Sequence, residues 1–148
     1  MDTKVFVECQ MLIRKPINEV FEAFINPEIT AHFWFTKSTG KLEEGKITTW
    51  TWEMYNVSSD VKTLEIIPNQ LIKTIWGNPS NNVDYKFKDM ENGTLVIIKS
   101  YGYKEEGEDL LKVINDNAGG FTTVLDGCKA YLEHGINLNL IKDKFPSK

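Results

Sequence analysis

Between residues 110 and 134, Leu110, Ile114, Asn117, Phe121, Val124 or Leu125, Cys128 and Tyr131 or Leu132 recur at alternating steps of three and four. This is the period of one face of an α-helix; Lys112, Asp116, Thr122, Thr123, Asp126 and Lys129 lie off that face, so the segment is amphipathic. A helix of that span is roughly 37 Å long, the width of a small domain, and must lie across something. Gly119 and Gly120 sit in its middle. Each costs on the order of 1 kcal/mol against alanine in a helix interior, so the pair predicts a kink or a close backbone approach. A functional hinge, or a break into two helices, is the alternative.

Upstream the period changes. Residues 5–13 place Val5, Val7, Cys9 and Met11 on one side with Glu8 and Gln10 on the other, which predicts a first strand. Pro16 then opens a short helix with Ile17, Val20, Phe21 and Phe24 at helical spacing, stopped by Asn26-Pro27. A second short helix begins at Pro27, capped by Asn26 with Glu28 in its first turn, and runs into Phe33-Trp34-Phe35. From Ser38 onward short alternating runs predict five or six strands, among them residues 46–55, 61–67, 71–76, 83–88 and 94–103. Turn chemistry separates them at Glu44-Gly45, residues 56–60, Pro68-Asn69, residues 77–82 and Glu91-Asn92-Gly93, and an acidic loop at 104–109 leads to the long helix. A long amphipathic helix needs an apolar sheet face to cover. The expected fold is therefore α+β, a curved antiparallel sheet wrapped around a long C-terminal helix, with two short helices after strand 1: a helix-grip arrangement.

Length and composition narrow the classes of function. The 148 residues suit one domain spanning 1–148, and 41% hydrophobic with 26% charged residues is ordinary for a folded protein. A net charge of -4 argues against nucleic acid or an anionic membrane as partner, since both need a basic face. Lys142, Lys144 and Lys148 form the one basic cluster and read as a solvated terminus. Met1 to Lys4 leads straight into a strand, so no signal peptide is expected, no stretch approaches the ~20 apolar residues of a membrane span, and a cytoplasmic location follows as the default. Cys9 and Cys128 read as two buried thiols in a reducing compartment.

The motifs Pro16-x-x-x-Val20-Phe21-x-Ala23-Phe24, Asn26-Pro27-Glu28 with Phe33-Trp34, Lys73-Thr74-Ile75-Trp76, Asn92-Gly93-Thr94, and Gly119-Gly120-Phe121 with Tyr131-Leu132-Glu133 follow one another along nearly the whole chain. In that order they resemble a bacterial member of the activator of heat-shock-protein-ninety ATPase (AHSA-type) family, within the START-like and polyketide-cyclase (SRPBCC) superfamily. Two positions depart from the family pattern: Phe121 stands where Trp is usual, and Cys128 replaces a usual Leu, which implies a differently shaped pocket floor. The resemblance implies a START-like fold and a lipid, hormone or polyketide ligand held between sheet and helix. It also implies, as an alternative, a chaperone cofactor that stimulates a heat-shock chaperone ATPase. The eukaryotic namesake has an additional N-terminal domain that this sequence lacks, which tells against that role.

Candidate ligand contacts follow from alternation. Trp50, Trp52 and Met54 share one sheet face, as do Val83, Tyr85 and Phe87, and the concave face of such a sheet looks toward the helix. The expected ligand-binding set is Trp34, Trp50, Trp52, Trp76, Tyr85, Phe87, Tyr101, Asn117, Phe121 and Leu125, with Phe33, Trp34 and Phe35 at the mouth. Any one of these rings taken alone reads as plain core. As a group they carry several indole and phenol polar atoms that need partners when buried, which favours a cavity for a small hydrophobic or amphipathic molecule. Removing about 300 Å² of apolar ligand surface from water gains roughly 7 kcal/mol, less at least ~4 kcal/mol for association. Hydrogen bonds from Tyr85, Tyr101 or Asn117 are therefore needed, and the ligand should be partly polar.

Catalysis finds little support. His32 precedes the aromatic cluster but reads as an exposed side chain, Glu53 should face solvent by alternation, and His134 offsets the helix dipole in the last turn. No catalytic residue is assigned, and an enzyme is not expected; a cyclase-like reaction in the same cavity is the second alternative. Two histidines and two cysteines scattered from Cys9 to His134 lack metal-ligand spacing, and no phosphate loop is present, so neither a metal nor a cofactor is expected.

Overall fold

The computed structural model describes residues 5–146; Met1 to Lys4, invoked above for the start of the chain, and Lys148 of the basic cluster lie outside the described residues. Strand β1 (Phe6–Ile13) is followed by α1 (Ile17–Ile25) and α2 (Pro27–Thr30). Then come β2 (Lys37–Ser38), β3 (Ile47–Trp52), β4 (Val57–Ile67), β5 (Leu71–Gly77), β6 (Ser80–Met90), β7 (Gly93–Tyr101), α3 (Gly107–His134) and α4 (Leu140–Lys144). The strands form one curved antiparallel sheet in the order β1-β7-β6-β5-β4-β3-β2, and α3 lies along it as the helix-grip reading requires. Pro16 precedes α1, and the Asn26 side chain accepts the Glu28 N–H at 3.1 Å to cap α2. No helix among the described residues is long and apolar enough to cross a membrane.

The boundaries that differ most from the sequence reading lie at turns. Strand β3 stops at Trp52 because residues Glu53–Tyr55 wind into a 3-10 turn, closed by Asn56 in the left-handed conformation at φ 53°. One such residue reverses the chain, so β4 starts at Val57, inside the stretch read as a turn, and pairs Val57 with Trp52. The expected loop at 77–82 contracts to a tight turn in which Gly77 pairs with Ser80. Gly102, at φ 79°, ends β7 two residues early. The tail is not merely solvated: residues Leu140–Lys144 form α4, Ile141 packs on the core, and the Tyr55 hydroxyl donates to the carbonyls of Ile141 and Lys142.

Helix α3 is continuous over 28 residues, so the glycine pair breaks nothing. Nor does backbone approach explain it, because a Cβ on Gly120 would meet nothing within 4 Å and one on Gly119 only the end of Lys144. The close approach is instead at Gly127, whose Cβ would lie 3.3 Å from the Phe33 backbone oxygen. Burial along α3 is lopsided. Phe121, Val124, Leu125, Gly127 and Cys128 are buried, while no residue from Gly107 to Gly120 is. The C-terminal half is thus the anchored half.

Polar bonds fasten that half to β1. The Lys129 ammonium donates to the Leu12 carbonyl at 2.7 Å and pairs with Glu133 at 2.7 Å, and the Arg14 N–H donates to the same carboxylate at 2.7 Å. Burial opposes ionisation of Glu133, but the Arg14 N–H and the Lys129 ammonium outweigh it and hold its pKa below the ordinary value of 4.5. A carboxyl depressed on folding adds stability above its unfolded pKa and loses it as pH falls through the folded one. Glu133→Gln is accordingly expected to cost about 1.5–3 kcal/mol at pH 7, the range for hydrogen bonds to a charged group. Urea denaturation at pH 7 and at successively lower pH checks this: the gap between the two proteins should narrow as the pH falls, and a gap that stays constant would refute the assignment.

Candidate functional site

The inward faces of β3, β5 and β6 bring Trp50, Trp52, Trp76, Tyr85 and Phe87 to one side of the sheet, opposite Phe121 and Leu125 of α3. The space among them is occupied. Trp34, delivered by the turn after α2, puts its ring centroid 4.9 Å from Trp50, 6.1 Å from Trp76 and Tyr85, and 6.2 Å from Phe121. Phe35 stacks on Trp50 at 4.7 Å, and Phe87 meets Phe21 and Phe24 of α1 at the closed end. Trp34 is only 7% exposed, so it plugs the gap whose mouth the sequence reading had it guard.

Two expected contacts go elsewhere. Tyr101 stands on the outer face of the sheet, its hydroxyl donating to Asp84 at 3.2 Å and its ring near Lys99, because Thr94, Val96, Ile98 and Ser100 take the inward positions of β7. As a contact in the gap between sheet and helix it is withdrawn. Asn117 points inward but is engaged: its amide donates to the Tyr103 hydroxyl at 3.2 Å, which donates to Ser100 at 2.7 Å, and Asn81 donates to Ser100 at 2.8 Å. Burial raises the Tyr103 pKa although Ser100 and Asn117 oppose it, so the phenol keeps its proton and this chain ties α3 to β6 and β7.

Open space lies beside this packed centre. A cleft of about 980 Å³ runs between the exposed half of α3, the end of β3 and the C-terminal segment. Its walls are Trp52, Tyr55, Val57, Ile141 and Phe145, and its α3 side is Asn115, Asp116, Ala118, Gly119 and Gly120, with Lys144 at the edge. Of the expected set, Trp52 alone lines it. The missed residues had one legible signal, the glycine pair: with no side chain at 119 or 120, the helix surface stays recessed where the cleft needs depth. The apolar members of the tail, Ile141 and Phe145, were overshadowed by its lysines. Leu111, exposed one turn before Asn115, and the exposed Val57 and Phe145 continue the apolar surface outward.

Behind the cleft, three buried polar atoms find no hydrogen-bond partner among the described residues: Thr63 Oγ1, Trp76 Nε1 and Tyr85 OH. Burial drives the Tyr85 pKa far up, so it remains a neutral phenol. Both cysteines are free and buried, and desolvation raises the Cys128 thiol, which leaves it inert as a nucleophile. His32 is exposed, as the sequence reading had it, and its ring stacks on Tyr131 with centroids 4.4 Å apart. Glu53 faces solvent and His134 closes the last turn of α3.

The fold recurs in solved structures. A Staphylococcus saprophyticus protein is 30% identical, with a TM-score of 0.80 over 90% of this chain and 96% of its own. The Aha1 dimer from Colwellia psychrerythraea is 18% identical, with a TM-score of 0.72 over 88% of this chain and 98% of its own. DynU16, a protein of the dynemicin biosynthetic locus, is 16% identical with a TM-score of 0.75; 93% of this chain aligns with 49% of that one. No curated protein matches significantly. The profile described as activator of Hsp90 ATPase homolog 1-like protein matches residues 14–133, and the chain belongs to that family.

Proposed function

We propose that the protein binds a small amphipathic molecule, of lipid, acyl or aromatic type, in the cleft beside the exposed half of α3. The observation that carries this reading is the glycine-floored cleft itself, a volume in the range of small-molecule sites with apolar walls and few polar groups. Trp52, Val57, Ile141 and Phe145 suit an acyl or aromatic body, and Asn115, Asp116 and Lys144 at the rim suit its water-facing part. The body of the ligand lies beside, rather than between, Trp50, Trp76, Tyr85 and Phe121, because Trp34 packs among these rings. No ion-paired nucleophile or inward carboxylate pair accompanies the cleft, which favours binding over chemistry. The family description and the neighbour named Aha1 keep a chaperone-cofactor role as the second reading, tested by chaperone ATPase rates with and without this protein.

Native mass spectrometry after exposure to a library of acyl and aromatic metabolites tests the first reading. Retained one-to-one adducts are expected, together with saturable fluorescence of 1-anilinonaphthalene-8-sulfonate that those metabolites displace. No adduct and no saturable signal would count decisively against it.

A further inference from the structure

Thr63, Trp76 and Tyr85 need an explanation that the cleft alone does not supply. Across the ladders Thr63 pairs with Thr74, Thr74 with Val83, and Ile72 with Tyr85, so all three side chains share the inward face of successive strands; Trp76 and Tyr85 stand two positions to either side of Thr74, and their length brings indole and phenol toward it. Tyr85 is 1% exposed and Thr63 fully buried. The Tyr85 hydroxyl lies beside the Thr74 hydroxyl and the Trp76 indole without completing a bond to either, and Thr74 already donates to the Val83 carbonyl at 2.9 Å. Buried groups in this condition are rare, and each one weakens the folded state unless something uses it.

Trp52 separates these atoms from the open cleft. One side of its ring lines the cleft, and the ring also stacks on Trp76 with centroids 6.5 Å apart and planes 20° off parallel. It is the last residue of β3, half-buried, and the 3-10 turn begins immediately after it.

We propose that Trp52 is a movable partition, and that the ligand carries a neutral terminal oxygen, a hydroxyl or carbonyl, which Thr63, Trp76 and Tyr85 hold once the ring turns aside. This rests on the cleft being the ligand site. The donor set selects the chemistry: an indole N–H only donates, while the two hydroxyls both donate and accept, a complement to one uncharged oxygen. A carboxylate is disfavoured, because no cation faces the site and Asp84, on the neighbouring outward position, already opposes negative charge at Tyr85. An ammonium is disfavoured because the Asp84 carboxylate is turned to the outer face, where Lys73 and Tyr101 engage it.

Calorimetric titration with naphthalene, 1-naphthol and 1-naphthoate at pH 7 tests the proposal on the wild type, Thr63→Val and Tyr85→Phe. The wild type should bind 1-naphthol at least tenfold more tightly than naphthalene or 1-naphthoate. Each variant should cut the naphthol preference over naphthalene below threefold and leave naphthalene itself unchanged. Fluorine NMR of 5-fluorotryptophan-labelled protein should show the Trp52 signal shifting with naphthol and not with naphthalene. Both variants remove atoms that bond to nothing, so their melting temperatures should equal or exceed that of the wild type. Equal affinities for naphthol and naphthalene, or a preference that survives both substitutions, overturns this inference and leaves the cleft reading standing. Lower melting temperatures with the preference unchanged mean a structural water only, and also overturn it. If none of the probes binds, the cleft reading fails and takes this one with it.

Discussion

Trp34→Ala should be the most destabilising single truncation in the protein, costing about 3–5 kcal/mol, the range measured for buried aromatic-to-alanine changes. The ring touches Trp50, Trp76, Tyr85 and Phe121 from four different elements, so its loss leaves a cavity that no one neighbour fills. Against a total stability of roughly 5–15 kcal/mol, that is about a fifth of the margin or more. For a chain of this size each kcal/mol moves the midpoint by roughly 2–4 °C, so a fall on the order of 10 °C is expected in a thermal melt. Because the hole has the shape of an indole, free indole should restore part of the loss by mass action. A cost under about 1 kcal/mol would mean that the ring is loosely held and that the gap between sheet and helix is open after all.

The same residue shows where sequence reading runs out. Alternation placed Trp50, Trp52, Tyr85 and Phe87 on the inward face correctly, because a strand with one buried face fixes the direction of every side chain by parity. Phe33, Trp34 and Phe35 lie in a turn with no period, so nothing in their spacing says whether they guard an entrance or fill it. Tyr101 is the opposite case. Parity from Val96 and Ile98 puts Ser100 inward and Tyr101 outward, and weight given to the aromatic ring over the alternation led to the wrong face. Asn56 hid the start of β4 because a single left-handed residue reverses a strand in fewer positions than a cluster of turn residues suggests. The tail misled for a simpler reason: three lysines drew attention from Ile141 and Phe145, which cover part of the cleft.

The glycine pair gives the second large expected effect, and it separates packing from binding in one experiment. Gly120→Ala should stabilise the protein by about 1 kcal/mol, since the added Cβ meets nothing within 4 Å and alanine is the better helix former by that margin. The double variant Gly119→Leu/Gly120→Leu should keep or raise the stability, because at Gly119 only the flexible end of Lys144 must move, 3.6 Å from the new Cβ. Yet two leucines project into the floor of the cleft, and binding of 1-anilinonaphthalene-8-sulfonate or of any adduct found by mass spectrometry should fall at least tenfold, about 1.4 kcal/mol. Urea midpoints and titrations on the same samples read both quantities. Stability and binding moving in opposite directions is the signature of a residue kept at a cost to the fold because function needs the space. A loss of stability in the leucine variant would return the glycines to a packing role. Higher stability with undiminished binding would place the ligand somewhere other than this cleft.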